Sequence, residues 1–252
     1  MNRDRLYDVY AKIERSIVPG LRYAQYFYED SLRDALNENS WWLDLGCGHR
    51  VLPAWREREE QSLVRTVKCA VGLDFDWVSL LKHRSIKIRV RGDVSNLPFG
   101  ENSFDVVSAN MVVEHLERPA AQFREVLRVL KPGGIFIFHT PNAYGYTTIA
   151  ARLMPERFKT GLIRVLDGRP SEDVFRTHYH ANTESQICKL AQETGFHIKS
   201  IRYIASSAKF AVVLPLAFFE LFWIKLLLNR HFRSWRTNLI VTLRKPPTSQ
   251  PA

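Results

Sequence analysis

Trp41-Trp42-Leu43-Asp44-Leu45-Gly46-Cys47-Gly48-His49-Arg50 is the stretch that decides the fold. Its first five residues form a short apolar run of strand length. The run ends in an acid and two glycines, where the backbone can turn sharply and approach a ligand closely. Similar runs recur downstream at Cys69 to Asp74, Lys87 to Val90, Phe104 to Ala109 and Ile135 to Thr140. Each reads as a buried parallel strand. Between them the spacing turns helical. Phe123, Val126, Leu127 and Leu130 fall at i, i+3, i+4 and i+7 in a helix from about Pro119 to Leu130, stopped by Lys-Pro-Gly-Gly at 131 to 134. A second helix opens on a Thr183/Gln186 capping box and closes at Gly195. With two later runs, His197 to Ile204 and Asn238 to Leu243, the alternation predicts a Rossmann-like α/β fold: a doubly wound, mostly parallel seven-stranded sheet with helices on both faces.

The rest of the chain sets limits. Its 252 residues carry a net charge of +10 and 46% hydrophobic residues, which excludes disorder and collagen-like structure. Residues 1–40 read as an N-terminal helical cap rich in Tyr and Arg, and 41–252 as one domain. Within that domain, 142–182 is a long segment expected to fold over the site as a lid, and 207–236 is a hydrophobic, basic-flanked insertion. Cys47, Cys69 and Cys188 are odd in number and lack metal-ligand spacing, so neither a disulfide framework nor a zinc site is expected. The amino terminus alternates charges and has no apolar stretch of the secretory kind, so a cytoplasmic setting is expected.

In an open α/β sheet, ligands lie beyond the carboxyl ends of the strands. The polar residues found there form a series. Asp44 beside Gly46 and Gly48 would repel a phosphate but welcome an amino-acid ammonium. Asp74 is placed to accept both hydroxyls of a ribose, with Phe75 available to a purine face. Asp93 can accept from an adenine amino group while the Val94 N–H donates to a ring nitrogen. Asn110 closes the fourth strand and leads to Glu114-His115-Leu116.

Taken together, LDLGCG, GD followed by LPF and SFDVV, EHL and EVLRVLKPGG make the chain resemble the class I S-adenosylmethionine-dependent methyltransferases. The resemblance is to the small-molecule group that includes the ubiquinone and menaquinone biosynthesis enzymes. It is strong over Trp41 to Asn142 and weaker through Thr183 to Gly195. It implies S-adenosyl-L-methionine as cofactor, with Asp44, Gly46 and Gly48 around the methionine part, Asp74 on the ribose, Asp93 and Val94 at the adenine, and Asn110 lining the sulfonium region. Two departures stand out: Arg50 replaces a frequent third glycine, and the run Arg56 to Glu60 suggests a solvated helical extension. Quinone O-methyltransferases of the group carry an additional metal-binding acid where this chain has Met111, so no metal is expected.

Methyl transfer from a sulfonium requires alignment in a dry pocket, and a base only when the acceptor carries a proton. By the same resemblance His115 is the candidate base for an O–H acceptor; the alternative is that it caps the following turn. His139, Tyr144 and Tyr146 follow the fifth strand as substrate wall or as packing, and the His178/His180 pair lacks a nearby acid or Cys for metal ligation.

The last fifth of the chain, from Ser200 on, holds eight Lys or Arg against the single acid Glu220. Within it, Phe210 to Leu228 is apolar except for Pro215, Glu220 and Lys225, and Arg230, Arg233 and Arg236 follow. Crossing a bilayer would place those three residues near its middle, so an interfacial helix meeting an anionic membrane surface through 210–236, on the cytosolic face, is expected; a buried lid helix or dimer contact is the alternative. The fourth strand lacks the Asn/Asp-Pro-Pro-Tyr signature of base N-methyltransferases, which argues against nucleic acid. The sequence thus predicts methylation, O-methylation favoured, of a small-molecule acceptor that is hydrophobic, lipid-like or presented by a membrane. The alternative function is a membrane-binding module that kept the fold and lost catalysis. A dinucleotide-binding G-x-G-x-x-G would need glycine at Val51, which disfavours nicotinamide chemistry.

Overall fold

The apolar runs become strands almost where hydrophobic spacing puts them. The computed structural model describes residues 3–153, 177–208 and 214–247. Strands β1 (Trp41–Leu45) and β2 (Cys69–Asp74) match the expected bounds. β3 (Ile88–Arg91), β4 (Phe104–Asn110), β6 (His197–Ile204) and β7 (Asn238–Arg244) match to within a residue or so. β5 (Leu130–Pro141) differs, because Lys131-Pro132-Gly133-Gly134 ends the preceding helix yet stays within the strand. The register on β4 jumps there, from Phe104 opposite Leu130 to Val106 opposite Ile135, and Gly133 takes a left-handed φ of 77°. The extra residues make a bulge that only glycine-rich sequence accommodates.

The seven strands form one sheet in the order β3-β2-β1-β4-β5-β7-β6. β1 pairs in parallel with β2 on one side and β4 on the other. The strand order therefore reverses at β1, the place where α/β sheets leave a crevice beyond the strand ends. The pairing brings Asp44 opposite Ser108, Leu45 opposite Leu73, and Asp74 opposite Arg91, so the polar ends of β1, β2 and β4 lie side by side.

The helices follow from their apolar stripes. α1 (Arg3–Ile17) and α2 (Ala24–Ala35) precede the sheet, α3 (Glu57–Thr66) and α4 (Trp77–Lys82) flank β2, and α5 (Pro119–Val129) joins β4 to β5. α5 starts on Pro119 and buries Phe123, Val126 and Val129, with Phe123 edge-on to Phe136 at 5.4 Å. α6 (Tyr146–Leu153) follows β5, and α7 (Glu184–Thr194) leads into β6. The Thr183 hydroxyl accepts the Gln186 N–H, and Gly195 ends α7 at φ 87°, as the sequence predicts. α8 (Leu214–Leu227) precedes β7.

The chain divides into two compact units. One comprises Met1–Ala24, Pro141–Arg176 and Tyr203–Leu239; the other comprises Gln25–Thr140, Thr177–Arg202 and Ile240–Ala252. Of the two helices expected as one cap, α1 lies in the first unit and α2, from Gln25 on, in the second. In the first unit, Tyr10 and Ile17 of α1 and Val18 just after it pack with Ala217, Leu221 and Ile224 of α8. Of the expected lid, α6 is described and 154–176 lie outside the described residues, as do 209–213 at the start of the expected insertion.

Candidate active site

The loop after β1 is held from four directions, all within the second unit. The Cys47 N–H donates to the Leu73 carbonyl, and the Gly48 N–H donates to Asp74 Oδ2 at 2.8 Å. Further along, Glu60 Oε2 accepts the N–H groups of Val51 and Leu52 at 3.0 and 2.8 Å, and the Val51 carbonyl accepts from the Asn110 amide at 2.8 Å. Gly46 and Gly48 adopt left-handed φ of 59° and 49°. They differ in surroundings: a Cβ on Gly46 would stand 2.5 Å from Val112 Cγ2, whereas one on Gly48 would meet only Asp74 Oδ2, at 4.0 Å. Gly46 is thus required by packing and by φ, and Gly48 by φ beside open space.

That open space adjoins the Asp74 carboxylate. Each of its oxygens accepts one backbone N–H, Oδ2 from Gly48 and Oδ1 from Asp76, both at 2.8 Å. A carboxylate has about four acceptor positions, so each oxygen keeps capacity for a further donor such as a ribose hydroxyl. The Asp74 carbonyl accepts the Gly92 N–H at 3.0 Å, which ties the turn after β3 to the end of β2. In that turn Asp93 is exposed, its Oδ1 accepts the Ser95 N–H at 2.7 Å, and Val94 is half-buried. Phe75 is exposed next to Asp74, and its carbonyl accepts from Arg91. Asp74, Phe75, Gly92 and Asp93 therefore sit together at the ends of β2 and β3.

Asp44 lies deeper. Its carboxyl is buried and accepts from the Ser108 hydroxyl, which itself accepts the Trp42 indole N–H at 2.7 Å. Burial, reinforced by the nearby charges of Glu60 and Asp74, pushes Asp44 up to about 8 against the pull of the Ser108 hydrogen bond. The carboxyl expected to face an ammonium is thus part of a Trp42–Ser108–Asp44 chain beneath the glycine loop.

Asn110 also does more than close a strand. Its amide nitrogen donates to the Val51 carbonyl and to Gln25 Oε1 at 3.1 Å, and its oxygen lies 2.9 Å from His139 Nδ1. Gln25 on α2 and buried His139 on β5 thereby join the glycine loop to the end of β4. The turn that follows starts at Met111, which adopts a left-handed φ of 59°, unusual for a side chain of this kind. Its N–H donates to the His139 carbonyl.

In the short 3-10 helix Val113–His115, Glu114 is buried, and its Oε2 accepts the Thr140 hydroxyl at 2.9 Å. Asn182 in turn donates to that hydroxyl at 2.7 Å, and the Glu114 carbonyl accepts the His178 N–H at 2.8 Å. His115 is partly exposed, its Nε2 4.0 Å from Glu114 Oε1. His180 turns to the Glu117 carbonyl. Of the residues expected as substrate wall or as packing, Tyr146 is engaged in the first unit, where its hydroxyl donates to Glu220 at 2.6 Å; Tyr144 is exposed. Among the described residues, no group of three or more His, Cys, Asp or Glu is gathered for a metal.

Residues 43–138 match the family model described as a methyltransferase domain. Over that stretch the chain is similar to methyltransferase domains. Over 104 residues it is 36% identical to a probable S-adenosylmethionine-dependent methyltransferase of Mycolicibacterium smegmatis, covering 40% of this chain and 37% of that protein. Over 139 residues it is 32% identical to a demethylmenaquinone methyltransferase of Corynebacterium kroppenstedtii, covering 53% and 56%. The chain thus spans less than two thirds of the length of either relative. The crystal structure of an S-adenosylmethionine-dependent methyltransferase from Mesorhizobium loti superposes with a TM-score of 0.53 at 20% identity, covering 86% of this chain and 96% of that one, which establishes the shared fold. The cofactor of such domains is S-adenosylmethionine, and the donors present suit it: an acid with spare acceptor positions beside open space at Gly48, and a second acid at the turn after β3.

Three contributors to the candidate site are not foreseen from sequence. Glu60 belongs to a charge run expected to be solvated, yet it is buried at i−3 from Leu63 on the inner face of α3. Arg56 of the same run is also engaged, with Glu29 of α2 at 2.8 Å. That shared i, i+3 position was the available sign for Glu60. Ser108 reads as one more small strand residue, and Gln25 carries no local signal at all.

Proposed function

We propose that the protein is an S-adenosylmethionine-dependent methyltransferase acting on a hydrophobic small molecule. The observation that carries the reading is the Asp74 carboxylate, fixed by the Gly48 and Asp76 N–H groups with one acceptor position left on each oxygen. When bound, S-adenosylmethionine would supply a methyl group already activated on a positively charged sulfur, so the chain's residues have to bind, orient and exclude water. Asp74 would hold the ribose diol. Asp93 and Val94 would meet the adenine edge, Phe75 its face. Asp44, through Ser108, would set the electrostatics beneath the glycine loop, and Asn110 would fix that loop against β4.

On the acceptor side, the turn after β4 offers half-buried Met111 and Val112, apolar neighbours that favour an oily acceptor. His115 is the group on that turn able to take a proton from an O–H acceptor. Its Nε2 lies 4.0 Å from the buried Glu114 carboxyl.

Calorimetry with S-adenosylhomocysteine tests the donor half. Wild type should bind, and Asp74→Ala should lose about 100-fold, as expected for two hydrogen bonds to a charged acceptor. Asp74→Asn, which keeps one acceptor oxygen, should fall between them. No binding by wild type, or equal affinity in a folded Asp74→Ala, defeats the reading.

A further inference from the structure

A helix that is apolar all round belongs in a core, yet α8 is packed on one side only. Its inner face, Ala217, Leu221, Ile224 and Leu227, is buried, and Glu220 is on that face as well, its carboxylate accepting the Tyr146 hydroxyl. The acid that counted against a bilayer crossing in the sequence is therefore turned away from the outer surface. Directly opposite, Phe219, Phe222 and Leu226 fall at i, i+3 and i+7 and are 71%, 49% and 42% exposed. Phe218 and Leu216 widen the stripe on either side.

The charges around this stripe share one sign. Between Leu214 and Thr237 the only acid is the inward Glu220. Lys225 is exposed at the edge of the stripe, and Arg230 and Arg233 are exposed in the 3-10 helix Arg230–Trp235, along with Phe232 and Trp235. Arg236, by contrast, is spent on the fold: its guanidinium donates to the Leu227 and Leu228 carbonyls at the end of α8, both at 2.8 Å, and to Tyr203. At about 1.5 Å per residue, 14 residues reach about 21 Å, short of a bilayer core. Among the described residues no helix is long and apolar enough to cross a membrane.

We propose that the outer face of α8, with the basic turn behind it, is a docking surface for an anionic lipid bilayer. α8 would lie in the interface, with Phe219, Phe222 and Leu226 among the acyl chains and Lys225, Arg230 and Arg233 at the headgroups. An aromatic stripe edged by cations matches the two layers such a surface offers, apolar beneath and negative above. A second copy of this chain would meet the same cations with cations, which is why lipid is the better-matched occupant. The surface shares no residue with the proposed donor site, and the inference stands independently of the methyl-transfer reading.

The test is sedimentation of the full chain with vesicles of phosphatidylglycerol and phosphatidylcholine in equal parts, against phosphatidylcholine alone. Wild type should pellet with the anionic vesicles and be released by high salt. The triple variant Phe219→Ser, Phe222→Ser, Leu226→Ser should lower the partition coefficient about tenfold or more, and Arg230→Gln about fivefold. Unchanged circular dichroism and S-adenosylhomocysteine affinity would show that the triple variant is folded and that the donor site is intact. Failure of wild type to pellet, or equal pelleting of a folded triple variant, overturns the proposal. So does a wild-type dimer that the triple variant converts to a monomer, because a second copy would then own the face.

Discussion

Replacing Ser108 with Ala removes one hydroxyl and strands two buried groups. The Ser108 oxygen accepts from the Trp42 indole and its proton goes to Asp44, and all three side chains are almost wholly buried. Orphaning a buried indole N–H and a buried carboxyl costs about 1–3 kcal/mol each, so the variant should lose about 2–6 kcal/mol. For a chain of this size that corresponds to a melting temperature lower by roughly 4–24 °C. The loss should also depend on pH. Asp44 is raised to about 8, so between the ordinary carboxylate range and pH 8 the native state holds a proton that the unfolded state has lost. Stability therefore falls as pH rises through that window and levels off above it. The Ser108 bond favours the charged carboxyl. Its loss raises Asp44 further, and the fall continues above pH 8 in the variant. Urea unfolding at pH 7 and at pH 9.5 should give a larger deficit at the higher pH, and the widening should vanish in an Asp44→Asn background. A deficit under about 0.5 kcal/mol at both pH values, or one that shrinks in alkali, would refute the coupling.

The two glycines should separate in their effects. Gly46→Ala drives a methyl group into Val112 at a left-handed φ and should cost about 2–3 kcal/mol in urea melts. Gly48→Ala meets only the φ strain, about 1–2 kcal/mol, yet stands beside Asp74, so calorimetry should register a larger loss in S-adenosylhomocysteine affinity than in stability. Glu60→Ala leaves the buried Val51 and Leu52 N–H groups without their acceptor and should destabilise by about 2–5 kcal/mol, whereas Glu60→Gln, which keeps one acceptor oxygen, should lose about half as much. His83 is depressed to about 4 by burial, aided by His49 and Arg89, with Nδ1 accepting the Ile86 N–H. Its stabilisation is present above about pH 6.5 and disappears as pH falls through 4, so His83→Asn, which retains an acceptor, should flatten the melting-temperature profile over that interval.

The features readable from sequence are those written in consecutive residues. β1 and β2 follow from apolar runs closed by polar ends, and α7 from Thr183, Gln186 and Gly195, because strand burial and helix capping act over a few positions. The clustering of the strand-end acids is legible for the same reason: each stands at the end of a strand, and the parallel register brings Asp44, Asp74 and the turn at Asp93 to one edge. β5 is longer than its apolar core suggests, since Lys131 to Gly134 carries every mark of a turn and still pairs through a bulge that Lys131 steadies by an ion pair with Asp105.

What stays hidden is the wiring beneath those acids, because its partners are far apart in the chain. Gln25 lies 85 residues from Asn110 and 114 from His139, and no local pattern on α2 announces that its amide will meet them. Glu60 is hidden differently, inside a run whose alternating charge implies solvent, although one of its members shares the apolar stripe. Both connect to the same loop: Glu60 through the Val51 and Leu52 N–H groups, Gln25 through Asn110 and the Val51 carbonyl. A loop that must turn left-handed at two glycines has little stiffness of its own, so its shape is imposed by side chains from α2, α3, β2 and β4. The sequence motif thus marks where a ligand would be met, and the long-range hydrogen bonds decide whether the loop is held ready to meet it.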